Sequence, residues 1–387
     1  MHFNGYYHYS NDQFMKKYIL TLHFFVVLLG TSCGQNTDNT ISTPEKPILS
    51  KELIVPDLRN PWGLVFLPDN SLLITEKEGK LILYKDGSKR IIKGLPDIKV
   101  AGQGGLLDVA LDPQYSSNGY IYLTYVSTDG KEKGSNTALL RCKLFNGELI
   151  DKKVLYKASP NSTTSHHFGS RIVFDKEGYL YFSIGDRGNR DENPQDITRD
   201  GGKIYRLNKD GSIPTDNPFY TETNAKKAVF SYGHRNPQGL VLNPFNGEIW
   251  EHEHGPRGGD EINTIKKGKN YGWPSITYGI NYSGTKITDK TKMQGMEQPI
   301  HYWVPSIAPS GMAFITTNKY PNWKGNLLVG SLAFQYLERL VLKDNKIIYR
   351  EKLLDGIGRV RSVKEGPDGY VYIGVEGKGI YKLTPKS

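Results

Sequence analysis

The chain has 387 residues, of which 23% are charged, and its 50 Lys and Arg against 40 Asp and Glu give a formal net charge of +10 at pH 7. Glycine contributes 42 residues, about 11% against an average near 7%, and tyrosine contributes 25. This composition excludes collagen, coiled coils, multi-span membrane proteins and wholesale disorder, and it favours short strands joined by turns. The basic excess is spread along the chain, which favours solubility and small anionic ligands over nucleic acid.

The N-terminal segment has the three parts of a secretory signal. From Met15 the sequence passes through two lysines, an apolar stretch from Tyr18 to Leu29, and small residues before Cys33. The apolar stretch is too short to span a membrane comfortably. Because the first fourteen residues fit no export signal, we expect Met15 to be the true start and residues 1–32 to be the signal peptide.

The end of this signal resembles a bacterial lipobox, in which the cysteine becomes the lipidated first residue of the mature protein. The stretch reads Leu29-Gly30-Thr31-Ser32-Cys33, and Gly30 departs from the residue usual at its position. Residues 33–50 are therefore predicted to be a lipidated cysteine with a flexible tether. We expect an exported protein of the bacterial periplasm or cell envelope that meets the membrane only through the lipid on Cys33. A plain signal peptide cleaved nearby is the alternative, and it predicts export as well.

Six copies of one short pattern follow the tether. Each copy has alternating apolar residues, a turn that combines Gly with Asp, Asn or Pro, and an aromatic-rich stretch. The copies begin about 45 to 70 residues apart, at Trp62, Leu107, Arg171, Gly239, Gly311 and Val360. Alternation around tight turns predicts two paired strands in each copy.

A strand-only repeat of this length is typical of a propeller blade. The sequence therefore predicts an all-β fold, a six-bladed β-propeller over residues 51–385. The strand Lys51–Asp57 is expected to close the ring against the last blade. Two unrelated β domains are the alternative.

Polar clusters lie in the loops between the predicted strands, where side chains can converge on one end of a propeller channel. They span residues 161–171, 185–196, 231–239, 251–263, 268–274 and 358–362. If the first of these is extended, His166 and His167 point in opposite directions and one faces the channel. A neutral imidazole there is a natural general base, although a buried histidine bonded to a carbonyl is the alternative.

Arginines in these clusters suit anionic ligands. Arg235, Arg359 and Arg361 keep their charge and can bind carboxylates in a bidentate manner. Each alone is also compatible with a surface position or with pairing across strands.

Acidic and imidazole groups in residues 251–263 suggest a metal. Asp260 and Glu261 follow two glycines and offer hard oxygen ligands for calcium. His252 and His254 share one strand face. Zinc would need a third ligand that no nearby spacing supplies.

Taken together in this order and spacing, several motifs resemble one known family. They are SYGHRNPQGL, EHGPRGGDEIN, NYGWP, APSGMAF, HxxGSRI and RVRSVxxGPDGxxY. They resemble the soluble pyrroloquinoline-quinone-dependent sugar dehydrogenases, the glucose/sorbosone dehydrogenase family, with the aldose sugar dehydrogenases as the nearest branch. The resemblance covers about residues 50 to 385. It implies a six-bladed propeller that binds the quinone with calcium and oxidises an aldose at C1 to a lactone.

The resemblance also implies roles for single residues near the quinone. His167 falls at the position of the general base, and Arg235 with Asn236 at the pair over the cofactor. His254 takes a position that is Gln or His in relatives. Arg359 and Arg361 match the arginines that hold the cofactor carboxylates.

For calcium, the resemblance implies two sites. Gly255 and Pro256 match residues whose backbone carbonyls hold the cofactor calcium, with Asp260 close by. Glu261 and the Tyr271 carbonyl match a second, structural calcium site of some relatives.

One position departs from the pattern. Relatives commonly have Lys after Ser-Leu in the fifth blade, where it contacts the quinone, and this chain has Ala333. Losing one charge-assisted hydrogen bond costs roughly 1.5 to 3 kcal/mol of binding free energy. Two alternatives stay open: a calcium-dependent lactone hydrolase and a non-catalytic sugar- or protein-binding propeller. Which aldose is the substrate and what accepts its electrons are not readable from the sequence.

Overall fold

The propeller predicted from the repeat is confirmed by a computed structural model, which describes residues 48–386. The predicted signal peptide, Cys33 and most of the tether lie outside these residues. The described part of the chain has 24 strands in six four-stranded antiparallel sheets and one short helix, α1 (Tyr115–Asn118). No helix within residues 48–386 is long and apolar enough to cross a membrane.

Five blades are built from four consecutive strands each, counted outward from the channel. The first three are β2 (Pro61–Phe66), β3 (Leu72–Glu76), β4 (Lys80–Lys85) and β5 (Ser88–Ile91); β6 (Leu106–Leu111), β7 (Tyr120–Ser127), β8 (Asn136–Phe145) and β9 (Glu148–Lys157); and β10 (Ile172–Phe174), β11 (Leu180–Ile184), β12 (Lys203–Leu207) and β13 (Val229–Tyr232). The next two are β14 (Pro237–Leu242), β15 (Ile249–Glu253), β16 (Asp260–Ile265) and β17 (His301–Trp303); and β18 (Pro309–Phe314), β19 (Leu327–Ser331), β20 (Leu337–Lys343) and β21 (Lys346–Leu353).

The sixth blade joins the two ends of the described chain. It contains β22 (Val360–Glu365), β23 (Val371–Val375), β24 (Gly379–Pro385) and, as its outermost strand, β1 (Leu49–Pro56). β1 pairs antiparallel with β24, from Leu49 opposite Pro385 to Pro56 opposite Gly379. The expected ring closure is confirmed, and it covers an edge that would otherwise be open for pairing.

Each repeat copy found in the sequence begins at the innermost strand of a blade. These strands, β2, β6, β10, β14, β18 and β22, contact one another around the channel. The second strands β3, β11, β15, β19 and β23 are buried along their whole length. Neighbouring blades cover both of their faces, so continuous burial takes the place of a half-exposed alternation.

The inner strands of five blades carry a bulge near the same end of the channel. The pairing with the second strand shifts after Pro61, Leu106, Pro237, Ser310 and Val360. A bulge leaves an extra residue unpaired and turns its side chain out of the regular alternation. Side chains at four of these bulges line one cavity, those of Trp62, Leu107, Gln238 and Arg361.

Candidate active site

Two cavities that share Tyr282 lie at the bulged end of the channel. The larger cavity has about 400 Å³ and is lined by Asn60, Trp62, Lys77, Gly102, Gln103, Leu107, Phe168, Gly169, Gln238, His254, Tyr282, Ala308, Leu332, Arg359, Arg361 and Glu376. The smaller cavity has about 130 Å³ and is lined by His166, His167, Asp186, Gly188, Arg190, Arg235, Pro256, Trp273, Asn281 and Tyr282. The two volumes together suit a planar cofactor and part of a sugar ring.

Arg171 ties the inner strands together beneath these cavities. Its guanidinium donates to the carbonyls of Trp62 at 3.1 Å, Gln238 at 2.8 Å and Arg361 at 2.9 Å. It also donates to Oδ1 of Asp108 at 3.2 Å. Three of these acceptors are the carbonyls of bulge residues, so one buried cation on the third blade holds the bulges of the first, fourth and sixth blades.

His167, the residue expected to act as the general base, bonds a buried carboxylate. Its Nδ1 lies 2.6 Å from Oδ1 of Asp186, and its backbone N–H donates to Oε1 of Gln103 at 2.8 Å. Burial alone would raise the pKa of Asp186, but the hydrogen bond and charge of His167 and the charge of Arg235 lower it overall. A carboxylate at Nδ1 selects the tautomer with the proton there, which leaves the Nε2 lone pair free. Burial is also the main reason that the pKa of His167 lies below its usual 6.5.

The expectation that only one of the two neighbouring histidines faces the channel is not met. His167 has a φ of +56°, so the stretch is not extended. Both rings line the smaller cavity, edge to face with centroids 4.5 Å apart. Among the described residues, only the ring of His167 in this pair bonds a carboxylate, which makes it the better candidate for the expected general base.

Arg235 bonds the loop that was predicted to hold calcium. Its Nη1 donates to the carbonyls of His254 at 2.9 Å and Gly255 at 2.8 Å. A Cβ at Gly255 would come within 2.3 Å of the Gly258 carbonyl oxygen, so this turn requires glycine. Pro256 lines the smaller cavity. The Gly255 carbonyl is thus held in place by the fold, as a cation site made of backbone oxygens requires.

Asp260 was predicted to be a calcium ligand, but in the structure it accepts hydrogen bonds from the backbone of this loop. Its Oδ1 accepts from the Gly255 N–H at 2.8 Å, and its Oδ2 accepts from the N–H groups of Ile307 at 2.7 Å and Ala308 at 3.0 Å. The Ser306 hydroxyl contacts both oxygens. With its lone pairs engaged, Asp260 positions the Gly255 turn through the backbone. Burial raises the pKa of Asp260 to about 6, although these hydrogen bonds oppose the rise.

Asn236 and His254 lie at different depths. Asn236 is fully buried and lines neither cavity; its Oδ1 accepts from the Gly169 N–H at 3.1 Å, and its Nδ2 lacks a partner among the described residues. His254 lines the larger cavity and bonds the Pro309 carbonyl through Nε2 at 2.8 Å. Burial lowers the pKa of His254 to about 3, so its ring is neutral at pH 7.

The larger cavity has a cationic wall. Arg359 and Arg361 line it. Glu376 bridges them, accepting from Nε of Arg359 at 2.6 Å and from Nε and Nη2 of Arg361 at 2.8 and 2.5 Å. Lys77 adds a third cation from the first blade, and its Nζ donates to the Gly102 carbonyl at 2.7 Å. Three cations against one carboxylate leave this wall positive, and it suits a ligand with several carboxylates.

A third, much smaller polar pocket also has Arg235 in its lining. It has about 10 Å³, room for one ion or one water, and its lining includes Glu253, Glu261 and Tyr271. Carboxylate oxygens of Glu251 and Glu253 also lie within 4.8 Å of a His234 nitrogen and of each other. Burial and the charge of Glu253 raise the pKa values of Glu251 and Glu261 well above normal. A divalent cation would relieve this repulsion, so the residues fit the predicted structural calcium and extend its candidate ligands to Glu253.

Several residues of these sites were not singled out from the sequence. They are Lys77, Gln103, Asp186, Glu253, Tyr282 and Glu376. Asp186 lies in the polar cluster of residues 185–196 and Glu253 in that of residues 251–263, so a signal for both was present. Lys77 and Glu376 follow the ends of β3 and β23 without any distinguishing pattern.

Comparisons with known proteins agree with this geometry. A family model described as Glucose / Sorbosone dehydrogenase matches residues 58–382. The aldose sugar dehydrogenase YliI of Escherichia coli is 41% identical over 346 residues, which is 87% of this chain and 93% of that protein. The apo-form structure of the soluble aldose sugar dehydrogenase from E. coli superposes with a TM-score of 0.84 at 39% identity, covering 88% of this chain and 100% of that one. The PQQ-bound form of aldose sugar dehydrogenase from Streptomyces coelicolor superposes with a TM-score of 0.71 at 27% identity, over 88% and 100% of the two chains.

Proposed function

The chain belongs to the glucose/sorbosone dehydrogenase family, and on that premise we propose that it oxidises an aldose at C1 to the lactone, using pyrroloquinoline quinone and calcium, with His167 as the general base. Membership of this family already implies a sugar dehydrogenase of the quinone-dependent type. The observation that carries the finer proposal is the His167–Asp186 pair beside a cationic cavity of about 400 Å³.

The chemistry of the larger cavity fits a tricarboxylate quinone. Lys77, Arg359 and Arg361 supply charge-assisted donors, and Trp62 and Phe168 supply aromatic surface. Nη2 of Arg359 makes no hydrogen bond within residues 48–386, and Nη1 of Arg361 makes only contacts of 3.4 Å. These donors are available to a ligand while Glu376 holds both guanidinium groups in place.

In the proposed reaction, His167 takes the proton of the C1 hydroxyl on Nε2. The imidazolium that forms is stabilised by Asp186, whose Oδ2 is itself held by the Trp273 indole N–H at 2.9 Å. When bound, pyrroloquinoline quinone supplies the acceptor for the hydride that leaves C1. Arg235 lines the same cavity as His167 and is placed to stabilise the negative charge that develops on the C1 oxygen as its proton leaves.

Two sets of residues would hold calcium. The Gly255 and Pro256 carbonyls would hold the ion that accompanies the cofactor, in a turn positioned by Asp260. Glu253, Glu261 and the Tyr271 carbonyl would hold a structural ion. The first ion would supply positive charge next to the cofactor, and the second would neutralise buried carboxylates.

The alternatives receive less support. A calcium-dependent hydrolase would need side-chain carboxylates and amides converging on the channel axis. Within residues 48–386, the one carboxylate that lines the larger cavity is that of Glu376, and it is bonded to two arginines. A non-catalytic propeller has the replacement of the usual Lys by Ala333 in its favour, but Lys77 supplies a cation to the larger cavity, which Ala333 does not line.

The test is reconstitution of residues 34–387 with the quinone and excess calcium. We expect tight binding by calorimetry that calcium chelation weakens, followed by reduction of an artificial dye with some members of an aldose panel. Absence of binding at micromolar quinone, or binding without dye reduction for every aldose, would contradict the proposal.

For location, we propose export with lipidation of Cys33, which the sequence of residues 15–33 supports. Expression of the full chain in a bacterium fed a lipid analogue should label the wild-type protein, whereas Cys33→Ser should remain unlabelled. The proposal would be contradicted if Cys33→Ser were labelled, or if neither the wild-type protein nor the variant were labelled.

A further inference from the structure

Arg190 is a charged residue of the smaller cavity that the proposed mechanism does not use. The cavity places it with His167 and Arg235 around the same space of about 130 Å³. Its Nη1 donates to Oδ1 of Asn281 at 2.7 Å, which joins the loop after β11 to the loop after β16. The guanidinium is thereby fixed at the cavity wall by a neutral partner.

The charge of Arg190 is only weakly compensated. Its Nε lies 3.5 Å from Oδ1 of Asp191, whose side chain is 80% exposed, and such exposed pairs contribute little. Glu192 is engaged by Arg199 at 2.8 Å and by Asn189 at 3.0 Å. Asp186, the one carboxylate among the described residues that line the cavity, is held by His167 and Trp273. The guanidinium of Arg190 therefore keeps most of its positive charge available to a ligand.

If His167 is the base, the C1 end of the sugar must approach it. With C1 at His167, the remainder of the ring extends toward the rest of the lining, where Arg190 and Asn281 bridge two loops. A guanidinium held by one bond keeps other N–H donors and recognises carboxylates and phosphates better than hydroxyls.

We propose that Arg190 is a specificity-determining residue that contacts the part of the aldose remote from C1 and favours aldoses that carry an anionic group there, such as uronic acids. This inference rests on the proposed function, because it takes His167 as the group that receives C1. It names a substrate class for the same site. Asn281 is the positioning residue that holds the guanidinium.

The test compares D-glucuronate with D-glucose on the reconstituted enzyme, as the ratio of their kcat/KM values. Arg190→Gln should lower the glucuronate-to-glucose ratio by about tenfold or more, the loss of one charge-assisted contact, mainly through KM for glucuronate. Asn281→Asp should lower it in the same direction, since it places a carboxylate on Arg190 without removing the acceptor oxygen. In the wild-type protein, added salt should also lower the ratio, and in Arg190→Gln it should not.

Arg199→Gln is the matched control. Arg199 lies in the same loop, its side chain is 36% exposed like that of Arg190, and it does not line the smaller cavity. It should leave the ratio unchanged. If Arg190→Gln also leaves the ratio within twofold of the wild-type value, or if Arg199→Gln lowers it equally, the inference is overturned while the dehydrogenase proposal stands.

Calorimetric binding of glucuronate without an electron acceptor separates the two proposals. If the wild-type protein reduces no dye but binds glucuronate, and Arg190→Gln abolishes that binding, the proposed function fails and the anion-recognising role of Arg190 stands. If neither dye reduction nor Arg190-dependent binding is found, both are overturned.

Discussion

The Nδ1 atom of His167 lies 2.6 Å from Oδ1 of Asp186, and the same carboxylate accepts the Trp273 indole N–H at 2.9 Å through Oδ2. One oxygen of Asp186 thus bonds the imidazole while the other is fixed by Trp273. His167 lines the same cavity as Arg235. This arrangement gives the first prediction.

Replacing His167 by Ala should lower kcat by about 10²- to 10⁴-fold, because the proton of the C1 hydroxyl loses its acceptor. Quinone affinity should change little, since His167 does not line the larger cavity. His166→Ala is the control: its ring lines the same cavity as His167 but bonds no carboxylate, so its effect on kcat should be far smaller. Dye-reduction kinetics and calorimetry check both, and equal losses in the two variants would contradict the assignment.

The value of kcat/KM should fall only on the acid side of neutrality. Burial lowers the pKa of His167 below 6.5, and this effect is larger than the rise caused by the hydrogen bond that His167 donates to Asp186. The neutral, active base therefore predominates above that value, and activity falls as the pH drops through it. Initial rates from pH 4 to 8 at constant ionic strength give the apparent pKa. An acid limb centred at pH 7 or higher would argue against His167 as the base.

Removing the Arg171 side chain should destabilise the propeller strongly. Arg171→Met leaves Asp108 unpaired and removes the donor to three bulge carbonyls. Breaking such a buried pair costs about 3–5 kcal/mol of the free energy of unfolding. Urea unfolding measures it. Arg171→Met/Asp108→Asn should lose less than Arg171→Met alone, and a loss under about 1 kcal/mol for the single variant would contradict the role.

Divalent cations should raise the melting temperature, and Glu261→Gln should change this response in two ways. Burial and the charge of Glu253 raise the pKa of Glu261, so replacing it removes a repulsion and should stabilise the cation-free protein. The same change removes a ligand and should reduce the stabilisation that added calcium gives. Thermal unfolding with calcium and with a chelator measures both. An unaltered calcium response in the variant would contradict a site at Glu261.

Lys77→Gln should weaken quinone binding by about tenfold or more, the loss of one charge-assisted contact. Lys77 brings a cation to the larger cavity, whereas Ala333, at the position where the resemblance implied Lys, does not line it. Lys80→Gln, at the first residue of β4 and outside the cavity, should bind the quinone like the wild-type protein. Calorimetric titration decides, and equal affinities of the Lys77 and Lys80 variants would remove Lys77 from the site.

The sequence by itself determined the propeller, because strand alternation and turn residues recur locally in each repeat. It also placed His167, Arg235, Arg359 and Arg361 among the candidate site residues by their motifs, and all four line the two cavities. These signals are readable because each lies within a few residues of chain. Their catalytic roles stay predictions until the variants are measured.

Only the tertiary structure decided which groups meet. Asp260 was expected to bind calcium, yet its oxygens are taken by Gly255 and by backbone 47 and 48 residues further along the chain. Glu376 meets Arg361 across a strand pair, and Lys77 reaches the same cavity from the first blade. Such contacts depend on bulges and on the packing of blades distant in sequence, and a pattern in local sequence carries no record of the side chains that packing will bring together.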